Sequence, residues 1–291
     1  MLFRSEDTFS KILNFVTQSA VEVQSNIGII GCKLIDGTGN FLPESKRGVP
    51  SPWVAFTKIF GLYKLSKIFG KYYAQHLAEN QSGKVDILVG AFMVMKRELY
   101  TEIGGFDENC FMYSDDIDLS YMVLQKGKYN YYFHETSVIH YKGESTVRDE
   151  KYLKRFQEAM QFFYKKHFQK SFVFDFLMKI GAFVFSLMKK NQSKAVHREI
   201  HEYIVFSKNS LQLNLEKKET LLNDFSLFKN NLHSNIEIVF DTQSFTFKEI
   251  IDFMNCNKSN NLTFKNYILN SNFIIGSNNS IDRGEIIIVK N

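Results

Sequence analysis

The sequence predicts an α/β protein, because short runs of β-branched and aliphatic residues alternate along the chain with segments of helical periodicity. The 291 residues are 44% hydrophobic, which supplies a sizeable core for one large domain or two ordinary ones. The chain contains only 3 prolines and 16 glycines, and no segment has the biased composition of a disordered tail. We therefore expect most of the chain to be folded.

The first predicted elements are a helix and a strand. Residues 6–19 place their apolar side chains on one side, which predicts a helix. The apolar run IGIIGCKLI predicts a strand, and the following DGTGN predicts a turn. Residues 41–83 form a long basic and aromatic connector with a predicted helix near 53–63. A connector of this length favours a functional loop.

The middle of the chain holds further strands and helices. Residues 85–108, VDILVGAFMVMKRELYTEIGGFDE, predict a strand, a pause at Gly90, a second strand and a short helix that ends at the paired glycines. The runs YNYYF and SVIHY predict two more strands. Two helices are predicted to follow, at 149–168 and at 171–190.

Positive charge is concentrated in residues 151–200. This stretch has eleven Lys or Arg against three Asp or Glu, a net of +8, whereas the whole chain carries +5. The helix predicted at 171–190 has a broad apolar surface between lysines, which indicates either an interfacial helix on an anionic bilayer or a helix buried in a protein interface. Asp175 and Lys179 lie near its centre and disfavour a spanning helix.

From residue 201 onward, strands and helices again alternate. The predicted strands are EYIVFS, IEIVF, NLTFKNYI, NFIIGS and GEIIIVK, with helices at 216–230 and 246–256. This pattern predicts a small separate α/β unit. We accordingly divide the chain into residues 1–148, a basic amphipathic helical segment at 149–200, and a small α/β domain of unknown role at 201–291.

Several classes of protein are disfavoured by composition. The three cysteines are widely spaced and form no C-x-x-C pair, so neither a disulfide framework nor a zinc site is indicated, and a reducing, cytoplasmic setting fits best. The N-terminal MLFRSEDTFSKILNFV places two acids before its apolar residues and does not resemble a secretory signal. The net charge of +5 is modest, and we expect no nucleic-acid partner.

Three aspartates, Asp115, Asp116 and Asp118, fall within four positions in the run YSDDIDLSYMV. One interpretation is an acidic helix start, with Asp115 as the cap, because exposed N–H groups and the helix dipole favour acids there. The other is a catalytic cluster. His140, which ends an apolar strand beside a polar loop, is a reasonable ligand for a divalent metal or a diphosphate. Gly90 would let a backbone approach a ligand closely.

The ordered series of motifs resembles a known enzyme family. VDILVGAFMVMKRELYTEIGGFDENCFMYSDDIDLSYMV, followed by VIHYKGEST, is similar to the acceptor-side half of family 2 glycosyltransferases of the GT-A fold, especially the bacterial rhamnosyltransferase-like branch. That family's pattern is a Gly-Ala strand, an Arg-containing helix, Gly-Gly-Phe-Asp-Glu, an aromatic run, Glu-Asp-x-Asp-Leu and His-x-x-Gly-x-Ser. The resemblance spans roughly residues 5–168 and implies a partial GT-A domain with a mixed sheet.

The resemblance implies a role for each aspartate. Asp116 corresponds to the general base, which takes the proton from an acceptor hydroxyl as that hydroxyl attacks the anomeric carbon in an inverting transfer. Asp115 replaces the family's Glu beside the base, and such a neighbour can tune the base. Asp118 would support the helix start on the substrate side. Met122 stands where the family usually has Arg.

Further residues would bind substrate and metal. Gly90 and Ala91 form the Gly-Ala strand on the substrate side. His140 would help bind the metal or the sugar-nucleotide diphosphate, and Gly143 and Ser145 would shape that loop. The expected cofactor is Mg²⁺ or Mn²⁺, which neutralises the leaving diphosphate. Its main ligands, the family's Asp-x-Asp motif, are not present in this chain.

The resemblance also implies a function. A sugar would pass from a nucleotide-sugar to a saccharide or lipid-linked acceptor in cell-surface polysaccharide synthesis, at the inner face of the cell membrane. We expect the nucleotide-binding half to precede residue 1, so that the chain is N-terminally truncated and impaired. One alternative is a non-catalytic remnant that acts as an interaction or membrane-association module. Another is a metal-dependent phosphohydrolase or prenyl-transfer enzyme, which requires a second acidic cluster that the sequence lacks.

Overall fold

Two β-sheets form the framework of the protein, and each is built from one half of the chain. The first has five strands and the second six, and helices pack against both, as predicted for an α/β protein. The computed structural model describes residues 1–51, 54, 70–110, 112–141, 150–168, 180, 199–278 and 284–289.

The first sheet is mixed, in agreement with the sequence. Its order is β1-β5-β2-β4, and β3 also pairs with β5. Strands β2 and β5 are parallel, whereas β1, β3 and β4 run antiparallel to their partners. The nine residues of β2 are all buried, which explains why this strand is apolar except for Lys33. The strands are β1 (Leu2–Arg4), β2 (Ile27–Ile35), β3 (Gly83–Val85), β4 (Val94–Met95) and β5 (Tyr129–His140).

Among the described residues of this half, five segments are α-helical. They are α1 (Thr8–Gln18), α2 (Val21–Asn26), α3 (Arg97–Glu102), α4 (Asp115–Gln125) and α5 (Glu150–His167). Helix α4 packs on the sheet through Leu119 and Val123, which lie in one apolar cluster with Ile29 and Tyr132. The sheet therefore fixes the orientation of the helix that begins with the three aspartates.

The prediction of two strands, YNYYF and SVIHY, is wrong, because the structure has the single strand β5 of twelve residues. Cys32 of β2 lies opposite Phe133, and the next residue, Lys33, lies opposite Ser137. Strand β5 thus advances four residues while β2 advances one, and the polar stretch between the two apolar runs forms an irregularity of the bulge type. No turn interrupts the strand.

The second sheet has the order β11-β10-β9-β8-β6-β7. The four strands β6 to β9 are parallel, and β10 and β11 are antiparallel. Helix α6 (Phe247–Asn257) begins at a capping box in which Thr246 and Glu249 satisfy each other's backbone N–H groups. The strands are β6 (Glu202–Phe206), β7 (Glu219–Leu222), β8 (Ile236–Asp241), β9 (Leu262–Ile268), β10 (Phe273–Ser277) and β11 (Glu285–Ile288).

The helix predicted at 216–230 is wrong. That region contains the edge strand β7 and a short 3₁₀ turn at Phe225–Leu227. Among the described strands, β7 pairs with β6 alone and lies at the edge of the sheet, which allows polar residues that resemble a helical surface. Phe225 and Phe228 pack against the core of the second sheet.

The two sheets share a hydrophobic core. Ile35, Ile139 and Tyr141 from the first half lie in one buried cluster with Phe206 and Phe240 from the second half. Both halves are therefore anchored to the same apolar cluster. The boundaries 1–148, 149–200 and 201–291 stay a prediction.

Two other predictions concern helices. The helix predicted at 149–168 is confirmed by α5, whereas the helices predicted near 53–63 and at 171–190 lie outside the described residues. Among the helices of the described part, none is both long and apolar enough to cross a membrane.

Candidate active site

The three aspartates begin helix α4, but none of them caps it. The N-cap is Ser114, so Asp115 is the first helical residue, and the prediction of Asp115 as cap is wrong. The buried Ser114 hydroxyl does not cap the helix either, because it donates a hydrogen bond to Ala159 O of α5 at 2.9 Å. All three carboxylates lie at the helix start, where the helix dipole favours negative charge.

Asp116 has one constrained oxygen and one unpartnered oxygen. Its Oδ2 accepts hydrogen bonds from the Gly90 N–H at 2.9 Å and from Arg47 Nη2 at 2.6 Å. Its Oδ1 is buried and has no hydrogen-bond partner in the described part of the chain. The residue as a whole is 8% exposed. A buried acceptor without a partner is uncommon in proteins and requires an explanation.

Ile87 pairs with Arg47 in an isolated antiparallel β-bridge. Gly90 lies in the turn between Ile87 and β4, and it approaches Asp116 closely. A Cβ at position 90 would lie 3.1 Å from the Asp116 Cβ, tighter than ordinary van der Waals contact. Gly90, where the predicted strand is interrupted, thus places its backbone N–H against the candidate base. Ala91, the next residue, is half-buried and packs against an apolar cluster that includes Leu34 and Val138.

Arg47 is a component of the site that the sequence did not predict. It is separated from Asp116 by 69 positions, and the only sequence signal is a Lys-Arg pair in the basic connector. Backbone hydrogen bonds with Ile87 in both directions, each 2.9 Å, fix the Arg47 main chain. Its Nη2 also donates to Leu88 O at 3.0 Å. Burial disfavours the charged guanidinium, but Asp116 and Tyr72 outweigh that effect and raise the pKa of Arg47.

Asp115 differs electrostatically from a surface acid. Burial is the main cause that raises its pKa, and the adjacent Asp116 raises it further, whereas Arg47 acts in the opposite direction. Two carboxylates and one guanidinium thus influence one another at this helix start. That Asp115 tunes Asp116, the candidate base, stays a prediction.

Asp118 is bound by helix α5. It is 1% exposed; its Oδ2 accepts from Lys166 Nζ at 2.8 Å, and its Oδ1 lies 2.5 Å from His167 Nε2. Lys166 also donates to Asp107 Oδ2 at 2.8 Å. Asp118 therefore joins α4 to α5, and its role on the substrate side stays a prediction.

The predicted metal site has no complete set of ligands among the described residues. His140 ends β5, opposite Leu2 of β1, and Gly143 and Ser145 lie outside the described residues. In the described ranges, no group of three or more His, Cys, Asp or Glu side chains could hold a metal ion. The described residues alone do not fit a Mg²⁺ or Mn²⁺ site, and His140 as a ligand stays a prediction. Met122 packs half-buried in the cluster beneath α4.

Comparisons with known proteins agree with the sequence motifs. The family model described as glycosyltransferase like family 2 matches residues 47–168. An N-acetylglucosaminyl-diphospho-decaprenol L-rhamnosyltransferase of Mycobacterium tuberculosis, strain CDC 1551 / Oshkosh, is 27% identical over 122 residues. The protein of the same name from strain ATCC 25618 / H37Rv matches equally. The matched region is 42% of this chain and 40% of the relative. No solved structure matches.

The chain spans about 40% of the length of the curated relatives that it matches. The family match begins at Arg47 and includes Gly90, Asp116 and Asp118, so the residues that meet in space also lie in one recognised segment. Residues 47–168 of the chain are therefore similar to the family 2-like glycosyltransferases.

Proposed function

We propose that the protein transfers a sugar from a nucleotide-sugar donor to a lipid-linked saccharide acceptor in cell-surface polysaccharide synthesis. The family match supports glycosyl transfer. The matched relatives are named for rhamnosyl transfer to a saccharide on a diphospho-decaprenol, which supports an acceptor of that general class. The described fragment of the family domain contributes the acceptor side of the reaction.

The observation that carries this proposal is the asymmetric environment of Asp116. One carboxylate oxygen is fixed by the Gly90 N–H and Arg47, and the other is left without a partner in the described residues. A general base needs an oxygen that is positioned yet available to a proton. Oδ1 of Asp116 meets both conditions once an acceptor hydroxyl reaches it.

The chemical step is an inverting displacement. The acceptor hydroxyl gives its proton to Asp116 Oδ1 as its oxygen attacks the anomeric carbon. A bond forms between that oxygen and the carbon, while the bond from the carbon to the nucleoside diphosphate breaks and the diphosphate leaves with the electron pair. Gly90 and Ala91 line the acceptor side. By resemblance, His140, Gly143 and Ser145 belong to the donor diphosphate side.

The proposed location is the cytoplasmic face of the cell membrane, where the protein is peripheral. The supporting observation is the concentration of positive charge in residues 151–200, which would favour an anionic surface. In the described part of this stretch, α5 ends in the basic residues Lys165, Lys166 and His167. A lipid-linked acceptor is also held at such a surface.

A transfer assay tests the function. The full chain is incubated with a panel of nucleotide-sugars and with N-acetylglucosaminyl-diphospho-polyprenol, with Mg²⁺ or Mn²⁺ present, and the glycolipid product is measured. Asp116→Asn is expected to reduce transfer by about 10²- to 10⁴-fold, the usual contribution of a general base. Asp252→Asn, at an exposed position of α6, is the matched control and should leave transfer unchanged.

Two results would contradict the proposal. Undiminished transfer by Asp116→Asn would exclude Asp116 as the base. If the wild-type chain shows neither transfer nor metal-dependent binding of any nucleotide-sugar in calorimetry, the non-catalytic interaction module is the better interpretation.

A further inference from the structure

The ion pair between Arg47 and Asp116 is incomplete on both sides. Arg47 Nη2 contacts Asp116 Oδ2 at 2.6 Å, and no second bond joins the two groups. Arg47 Nε and Asp116 Oδ1 are both buried and lack hydrogen bonds within the described residues. Arginine and carboxylate groups frequently form two parallel hydrogen bonds, so the single contact here is informative.

Asp118 provides a comparison, because both of its carboxylate oxygens have hydrogen-bond partners. Both oxygens of Asp118, two residues further along the same helix, contact basic side chains of α5. Asp116 instead receives two donors on one oxygen, because the Gly90 N–H also binds Oδ2. This concentration of donors on Oδ2 holds the carboxylate while it leaves Oδ1 unused.

We propose that Arg47 is a positioning residue for Asp116: together with the Gly90 N–H it fixes Oδ2, so that Oδ1 is the atom presented to the acceptor hydroxyl. This inference rests on the proposed function, in which Asp116 is the base. The unused Nε–H of Arg47 adds a donor to the same pair. A hydroxyl bound there would donate its proton to Oδ1 and accept a hydrogen bond from Nε.

Arg47 also faces a second acid at the same helix start. Burial and then Asp116 raise the pKa of Asp115, and Arg47 acts against both. Tyr72 is a further titratable group that acts on Arg47 in the described structure.

Arg47 also has a structural role, which the experiment must separate from positioning. Its backbone pairs with Ile87, and its Nη2 binds Leu88 O, so it holds the segment that leads to Gly90. Removal of the side chain therefore lowers stability whether or not Arg47 positions the base. The readout must report on the Asp116 carboxylate itself.

The Gly90 amide provides that readout, because its N–H donates directly to Asp116 Oδ2. Its ¹⁵N and ¹H chemical shifts are recorded by NMR at pH 7 in the full chain. We expect both Asp116→Ala and Arg47→Met to move the Gly90 resonance, because each removes part of the group that fixes Oδ2. In the Asp116→Ala background, Arg47→Met should add little further change. Arg47→Lys, which keeps a cationic donor, should restore most of the wild-type shift.

Control variants keep the test decisive. Arg97→Met removes an exposed arginine of α3 and should leave the Gly90 resonance unchanged. If Arg47→Met does not fold, Arg47→Gln, which is shorter and uncharged, replaces it in the same comparison. An unchanged Gly90 resonance in the folded, uncharged variant overturns the proposal.

Transfer assays distinguish failure of this proposal from failure of the proposed function. If Asp116→Asn abolishes transfer but the Gly90 resonance does not depend on Arg47, positioning fails and the function stands. If the Gly90 resonance depends on Arg47 through Asp116 but Asp116→Asn keeps full transfer, positioning stands and the function fails. If both proposals hold, Arg47→Met lowers kcat by about 100-fold, the cost of a small misplacement of a reacting group, with little change in acceptor KM.

Discussion

Gly90 is the position at which a single methyl group should disturb the candidate site. An added Cβ would lie 3.1 Å from the Asp116 Cβ, and relief of that contact must move either the Gly90 backbone or the carboxylate. Gly90→Ala is expected to cost about 1–3 kcal/mol of stability, as overpacked sites usually do, and to reduce sugar transfer. Urea unfolding and the transfer assay measure the two effects.

The control for this variant is Gly127→Asn. A Cβ at position 127 meets nothing within 4 Å, and Asn tolerates the positive φ of that residue. It should leave transfer unchanged. Equal losses of transfer in both variants would show that Gly90 has no special relation to Asp116.

The ionisation of Asp115 leads to a prediction about how stability depends on pH. Its pKa is raised in the folded protein, chiefly by burial and then by Asp116. An unfolded aspartate titrates near about 3.9, so folding favours the protonated form. The stabilising contribution of Asp115 to the free energy of unfolding is thus complete below about pH 3.9, and it is lost as pH rises through the pKa of Asp115 in the folded protein.

Asp115→Asn should therefore increase the free energy of unfolding relative to wild type at pH 7, and this gain should shrink as pH falls towards 3.9. Urea unfolding at pH 7, 5 and 4 measures the difference. The exposed Asp252→Asn serves as control and should show no such trend. A variant that is less stable than wild type at pH 7 would contradict the electrostatic interpretation.

At the scale of elements, local patterns were predictable and distant contacts were not. The start of α4 was predicted because acids ahead of an apolar run suit a helix N-terminus. Its cap was not, because the Ser114 hydroxyl bonds to Ala159, 45 residues away. Arg47 was likewise not predicted, because no local pattern reports a partner 69 positions along the chain. Strand β5 was divided wrongly because its bulge is defined by pairing with β2.

The junction between α4 and α5 yields a prediction at this scale. Asp118 is buried and binds both Lys166 and His167, so Asp118→Ala removes the carboxylate that His167 contacts and leaves Lys166 paired with Asp107. Loss of one partner of a buried ion pair costs about 3–5 kcal/mol. We expect urea unfolding to show a loss of this size, and hydrogen exchange to show faster opening of α5.

Lys165→Ala, on the same helix but exposed, is the matched control, and it should change stability by less than about 0.5 kcal/mol. Asp118→Asn keeps an acceptor oxygen and should fall between the two. If Asp118→Ala is as stable as Lys165→Ala, the contacts of Asp118 do not hold α5 in place.

At the scale of the whole molecule, the two sheets are connected by polar contacts as well as by their shared core. Glu6, between β1 and α1, accepts hydrogen bonds from the backbone N–H groups of Phe247 and Lys248 at the start of α6. A carboxylate at a helix N-terminus is favourable because it meets unpaired N–H groups. The Tyr141 hydroxyl accepts a hydrogen bond from Asn266 at 2.8 Å. Neither connection has a local signature in the sequence.

Phe3 is the side chain that best tests whether this connection makes the molecule unfold as one unit. Its ring stacks on Phe247 at 4.8 Å between centroids and meets Tyr141 edge-on at 5.7 Å. Phe3→Ala is expected to cost about 2 kcal/mol, which is below the range for fully buried phenylalanine because Phe3 is only half-buried. Hydrogen exchange should show reduced protection in β5 and β9 together.

Leu13→Ala is the control for this comparison, because Leu13 is 62% exposed on α1 and its truncation should leave both strands protected. The physical reason for a joint response is that Ile139 of β5 and Phe264 of β9 belong to the same buried cluster, so neither sheet opens without exposing apolar surface of the other. Loss of protection confined to β5, with β9 unchanged, would mean that the second sheet is stable without the first. In that case the two sheets contact each other through the shared cluster but do not unfold cooperatively.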